Sequence, residues 1–162
     1  MRAQSEQYAL GIQQQLKTLK LNTRLATEIE MKKDICKEVR AVYIAFMRNH
    51  SELYSAKLAY KSLVDREDEE GISKRENAHE VVMKYSQLSL ESKMLLDSYL
   101  DLSDPHDVEF FKSLNTISNM AFGAECTGTE LGEAQGTCAG ICYQYLARRH
   151  KEITGLVDTI GT

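Results

Sequence analysis

The chain has 162 residues, a net charge of −4, 27% charged and 43% apolar residues, one proline and no tryptophan, a balance too rich in charge and too poor in turn-formers for a β-protein. Residues 1–80 hold fourteen Lys and Arg against thirteen acids, and residues 81–162 hold six against eleven. Without a clustered basic face there is no counterion release to drive phosphate-backbone binding, so nucleic acid is not an expected partner.

The first residues lack the apolar core and cleavage pattern of a secretory signal. No run of eighteen apolar residues exists to span a bilayer, and the longest uncharged stretch, Ala134 to Ala147, is broken by glycines, glutamines and a threonine. Stable membrane insertion is therefore not expected. Cys36, Cys126, Cys138 and Cys142 are too few for a disulfide scaffold and read as reduced thiols, which favours the cytoplasm or the inside of an assembled particle.

In chain order, Ile12 to Glu70 passes fifty-nine residues without glycine or proline, which predicts helix. Tyr8, Ile12, Leu16 and Leu19 form a first short apolar face. Asn22 or Thr23 offers a cap at which that helix could end, although no glutamate stands at the capping-box position. Val39, Val42, Phe46, Leu53, Ala56, Tyr60 and Leu63 then step by threes and fours, with Asn49 the one polar member, as in a coiled-coil seam. At ~1.5 Å per residue a helix from Arg24 to Val64 is about 60 Å long, so an elongated molecule is expected.

Five acids between Asp65 and Glu70 oppose the dipole of a helix ending there, with Gly71 as its left-handed cap. Ser73 and Glu76 read as a capping box for the next helix, whose face is Ala78, Val81, Tyr85, Leu88, Leu95, Tyr99 and Leu102, with Ser92 as the polar exception. Two such seams about a short turn predict an antiparallel hairpin over about residues 24–102. Asp104-Pro105 supplies an N-cap acid followed by proline at the first helical position, and opens a third helix with Phe110, Phe111, Leu114, Ile117 and Ala121 inward.

Beyond Phe122, Gly128, Gly132, Gly136 and Gly140 recur at four-residue intervals, with Ala124 one step before them. In a helix this spacing draws a groove of missing side chains along which another helix can approach backbone to backbone. Four helical glycines cost about 4 kcal/mol relative to alanine, so the alternative is a loop of tandem turns. A membrane-inserting glycine zipper is disfavoured by Glu125, Glu130 and Glu133. After Gly140 the apolar period is firmly helical through Ile153 and Ile160.

Few residues suggest chemistry. Cys138 and Cys142 would share one helix face and could ligate a soft metal, but further ligands at motif spacing are missing and small buried residues explain them as well. Glu76 and His79 form one Glu-x-x-His step of the kind used twice by di-iron bundles, without the second copy, and His79 could accept a phosphoryl group. No nucleophile elbow, phosphate loop, zinc-protease motif or dinucleotide fingerprint is present.

The sequence therefore predicts one all-α domain over residues 1–162, an elongated bundle of four or five helices built on the long coiled-coil-like hairpin, with packing helices over about residues 105–160. The expected role is non-catalytic: a structural subunit or adaptor of a secretion apparatus, virion or filament that self-associates through Ala124, Gly128, Gly132, Gly136 and Gly140. No cofactor, metal or small-molecule substrate is called for. The alternatives are a monomeric protein-binding bundle, and a metal or phosphorelay bundle using Cys138, Cys142 or His79.

Overall fold

The computed structural model describes the backbone of residues 2–123 and 126–160, and the side chains of residues 10–123 and 126–158. It is all-α, with α1 over Arg2–Lys61, α2 over Glu69–Ser98, α3 over Pro105–Phe122 and α4 over Gly128–Ile160. No strand occurs among the described residues. The chain divides into two compact units, residues 37–146 and residues 1–36 together with 147–162.

In the larger unit α1 and α2 meet in opposite chain directions. The Tyr99 hydroxyl donates to the Glu38 carboxylate at 2.7 Å, Asn49 Nδ2 donates to the Leu88 carbonyl at 3.1 Å, and the Tyr60 and His79 rings lie 5.8 Å apart. The α1 seam follows its spacing: Val39, Phe46 and Leu53 are fully buried, and Asn49 and Ala56 nearly so. The α2 face is only partly the predicted one. Ser92 is buried and Ala78, Tyr85, Leu88 and Tyr99 are half-buried as expected, but Val81, Leu95 and Leu102 are exposed and Ser89 and Leu96 are buried instead. Both serines are small enough to let α1 come close, and the Ser92 hydroxyl bonds back to the Leu88 carbonyl at 2.8 Å, whereas the Ser89 hydroxyl is buried without a hydrogen-bond partner among the described residues.

The α1–α2 junction also departs from expectation. α1 ends at Lys61, and Asp68, extended at φ −71°, is the N-cap of α2 with Glu69 and Glu70 in the first turn. Asp68, Glu69 and Glu70 thus lie at a helix start, where the dipole favours them, while Asp65 and Glu67 lie in the connection. Gly71 lies inside α2, and no described residue has a positive φ. Glycine is needed there for space: a Cβ would sit 2.5 Å from the Arg66 Cβ and 2.7 Å from Asp68 Oδ1.

α3 starts as its sequence dictates, with the Asp104 carboxylate accepting from the His106 N–H at 2.8 Å and Pro105 at the first position. Phe110, Leu114, Ile117 and Ala121 are completely buried, each of the larger three contributing about 1.5–3 kcal/mol by leaving water. Phe110 lies 6.1 Å from the Tyr43 ring and 5.4 Å from that of Tyr145, joining α1, α3 and α4. Asp107 is buried and accepts from the Asp101 N–H at 3.0 Å, holding the α2–α3 connection. At the other end of α3 the Lys57 ammonium donates to the carbonyls of Ala121, Phe122 and Gly123 at 3.1, 2.8 and 2.5 Å. One cation thereby satisfies acceptors that a helix end leaves unpaired.

His50 is wholly buried between α1 and α3. Its Nδ1 is 2.8 Å from the Phe46 carbonyl and must donate to it, so Nε2, 2.9 Å from Ser118 Oγ, accepts from that hydroxyl. Burial pushes the imidazole pKa down to about 4, with the Phe46 carbonyl opposing the shift and Lys93 adding to it.

In the smaller unit Ile29 and Ile153 are buried, and Lys32 pairs with Glu152 at 3.7 Å. α1 runs past Asn22 and Thr23 without a break. Thr18, Thr23 and Thr27 each donate to the carbonyl four residues earlier, so the candidate cap residue serves the helix interior instead. Leu10, Ile12, Leu16, Leu19 and Leu21 remain exposed.

Candidate functional site

The glycine stretch is helical. Its start is fixed by a capping box: the Thr127 N–H and hydroxyl both donate to the Glu130 carboxylate, at 2.7 and 2.9 Å, and the Glu130 N–H donates to Thr127 Oγ1 at 3.2 Å. These bonds hold the Glu130 carboxyl below its ordinary pKa. Thr-x-x-Glu is legible in the sequence, and it settles the choice between helix and loop in favour of helix.

The side of α4 opposite the glycines supplies the packing energy. Leu131, Cys138, Cys142 and Tyr145 are buried, and Gln135 donates to Ser51 Oγ at 2.9 Å. Gly128, Gly132, Gly136 and Gly140 all face outward. At Gly132, Gly136 and Gly140 a Cβ would meet nothing within 4 Å, and at Gly128 it would touch the Tyr54 ring at 3.7 Å. Bare backbone is therefore displayed rather than used inside this unit. Ala124 lies outside the described residues.

A four-residue step advances about 40° around a helix, so the glycines wind slowly about α4. Tyr143 stands seven residues after Gly136 and eleven after Gly132, within about 20° of both, and it is 75% exposed. Exposed Ala139 lies on the same flank. The result is a strip with shallow gaps and one large ring beside them, edged by exposed Glu133 seven residues before Gly140. No family model, curated protein or solved structure matches the chain. The surface must be read from its own chemistry.

The candidate metal pair lies in the core. Burial raises the pKa of Cys138 and pushes that of Cys142 up to about 12, so in the metal-free fold both are thiols. Cys138 lies beside the Tyr43 and Ser113 hydroxyls, a weak contact that gives neither hydroxyl a well-formed hydrogen bond. Among the described residues no group of three or more His, Cys, Asp or Glu is placed to hold a metal ion. Glu76 and His79 are both exposed on α2, with His79 turned toward the Tyr60 ring. No helix of the described residues is long and apolar enough to cross a membrane.

Proposed function

We propose that this chain is a non-catalytic helical subunit that assembles with copies of itself through the glycine flank of α4. The observation that carries the reading is the outward stripe Gly132, Gly136 and Gly140, in a well-capped helix, with no packed neighbour among the described residues within 4 Å of where side chains would begin. Glycine weakens a helix by about 1 kcal/mol per position, and a close partner backbone is what offsets such a cost. Residues four apart form the i±4n row of a helix surface, and two such rows interdigitate at a crossing of about −50°. The Tyr143 ring supplies the bulk that the gaps of a second copy can accept.

The test is the mass of the purified chain by light scattering across a wide concentration range, beside Gly136→Leu with Gly140→Leu. Both positions are open in one copy, so the double variant keeps its helical spectrum. The expected result is an oligomer for the parent chain and a single copy for the variant. A parent chain that stays single at every concentration, or a variant with undiminished mass, overturns the proposal.

A further inference from the structure

Two helix faces carry a mostly apolar seam that stands exposed. On α1, Ile12, Leu16, Leu19, Thr23 and Ala26 step by four, three, four and three, and all five are exposed. On the outer side of α2, Met83, Gln87, Leu90 and Met94 step by four, three and four, and Met94 is 71% exposed. This is the spacing by which one helix meets another along a coiled-coil seam. At 1.5 Å per residue the two seams run for about 21 and about 17 Å. Both remain exposed, so they do not meet within one copy.

Their charges are opposite. Residues 7–27 contain Lys17, Lys20 and Arg24 and no acid, and all three cations are exposed. On α2, Glu76 continues the seam toward the helix start and Glu80 and Glu91 edge it, against Lys84 as the one exposed cation of residues 76–94. Two copies of the α1 seam would set cation against cation with no acid to relieve them, whereas the α2 seam offers carboxylates. A lipid surface fits less well. Lys20, Arg24 and Lys17 occupy about 60° of the helix between Ile12, Leu16 and Leu19 on one side and Leu10 and Leu21 on the other. An interfacial helix instead keeps its cations opposite a single apolar face.

We propose that the basic seam of α1 in one copy docks on the acid-edged methionine seam of α2 in the next. The two surfaces are unlike, so the contact runs head to tail. It uses no residue of the α4 glycine flank and does not depend on it.

The experiment is carbodiimide cross-linking of the full chain, mixed in equal parts from natural and isotope-labelled protein, which forms an amide only where a lysine touches a carboxylate. Links between labelled and unlabelled chains are contacts between copies, and cross-linking captures contacts too brief to raise the mean mass. The link from Lys32 to Glu152, 3.7 Å apart within one copy, is the yield standard. Mixed-label links from Lys17 or Lys20 to Glu76, Glu80 or Glu91 are expected in the parent, and equally in Gly136→Leu with Gly140→Leu. Leu16→Gln with Leu19→Gln, and separately Leu90→Gln with Met94→Gln, should each lower their yield at least fivefold; all four positions are exposed, so the fold is untouched. Absence of mixed-label links, or undiminished links in either seam variant, overturns the proposal. Links that vanish in the glycine variant belong to the α4 assembly and overturn it too. Sedimentation of the chain with vesicles of equal phosphatidylserine and phosphatidylcholine, lost in Leu16→Gln with Leu19→Gln, would assign the α1 seam to lipid and likewise overturn it.

Discussion

Replacing Gly132, Gly136 and Gly140 together by alanine separates what one copy requires from what an assembly requires. Alanine is better than glycine by about 0.8–1.0 kcal/mol at each interior helical position. At all three sites the added methyl meets nothing within 4 Å, so no steric term subtracts from that gain. The three sites share no partner and their effects should add, giving a single copy about 2.5–3 kcal/mol more stable, or roughly 5–12 °C in Tm for a chain of this size. Gly71→Ala is the internal contrast, because its methyl would sit 2.5 Å from the Arg66 Cβ, and it should lower Tm. Thermal melts followed by helical circular dichroism at the lowest usable concentration measure both. A triple variant that melts below the parent as a single copy would refute the reasoning, since the stripe would then be packed inside the chain's own fold.

Two further outcomes follow from buried groups. His50 titrates near 4 in the fold and near 6.5 when unfolded, so the unfolded chain binds the extra proton between those values. Stability should therefore fall by about 3 kcal/mol as pH drops from 6.5 to 4. Urea midpoints should show this slope in the parent and a flatter one in His50→Gln, and equal slopes would remove His50 as the cause. The Cys142 thiol, pushed up to about 12, should react with a disulfide reagent at pH 8 roughly a thousand-fold more slowly than an ordinary thiol. Cys36 and Cys126 are partly exposed and should react first, so four equally fast thiols would contradict the buried placement.

Much of the fold was legible wherever burial follows apolar spacing. The seam from Val39 to Ala56 and the α3 face from Phe110 to Ala121 are buried where their threes and fours put them. The α2 face was misread at Val81 and Leu95, which counting apolar residues favours, whereas close approach to Asn49 buries the small Ser89 beside the correctly placed Ser92. Tertiary packing overrode hydrophobic period there. The acids after Asp65 were assigned to the wrong helix, since a charge run marks a boundary without saying which side it serves; the structure places Asp68, Glu69 and Glu70 at the start of α2. The glycine spacing was visible, but its outward direction depended on Leu131, Cys138 and Tyr145 claiming the opposite side. The contact of the Tyr60 and His79 rings was invisible to sequence because it arises only through the pairing of α1 with α2.

The strip on α4 carries both its gaps and the ring that would fill them, Gly136 and Gly140 beside Tyr143. Under the proposed assembly that strip is its own complement, and such a surface pairs about a two-fold axis and is then used up, so growth through it alone stops at a dimer. A filament or shell would need a second, unlike contact. Under the same proposal, the apolar side chains left in water along α1, from Leu10 to Leu21, would have to supply it, and the choice between a closed pair and an open lattice would turn on whether that stretch is ever covered.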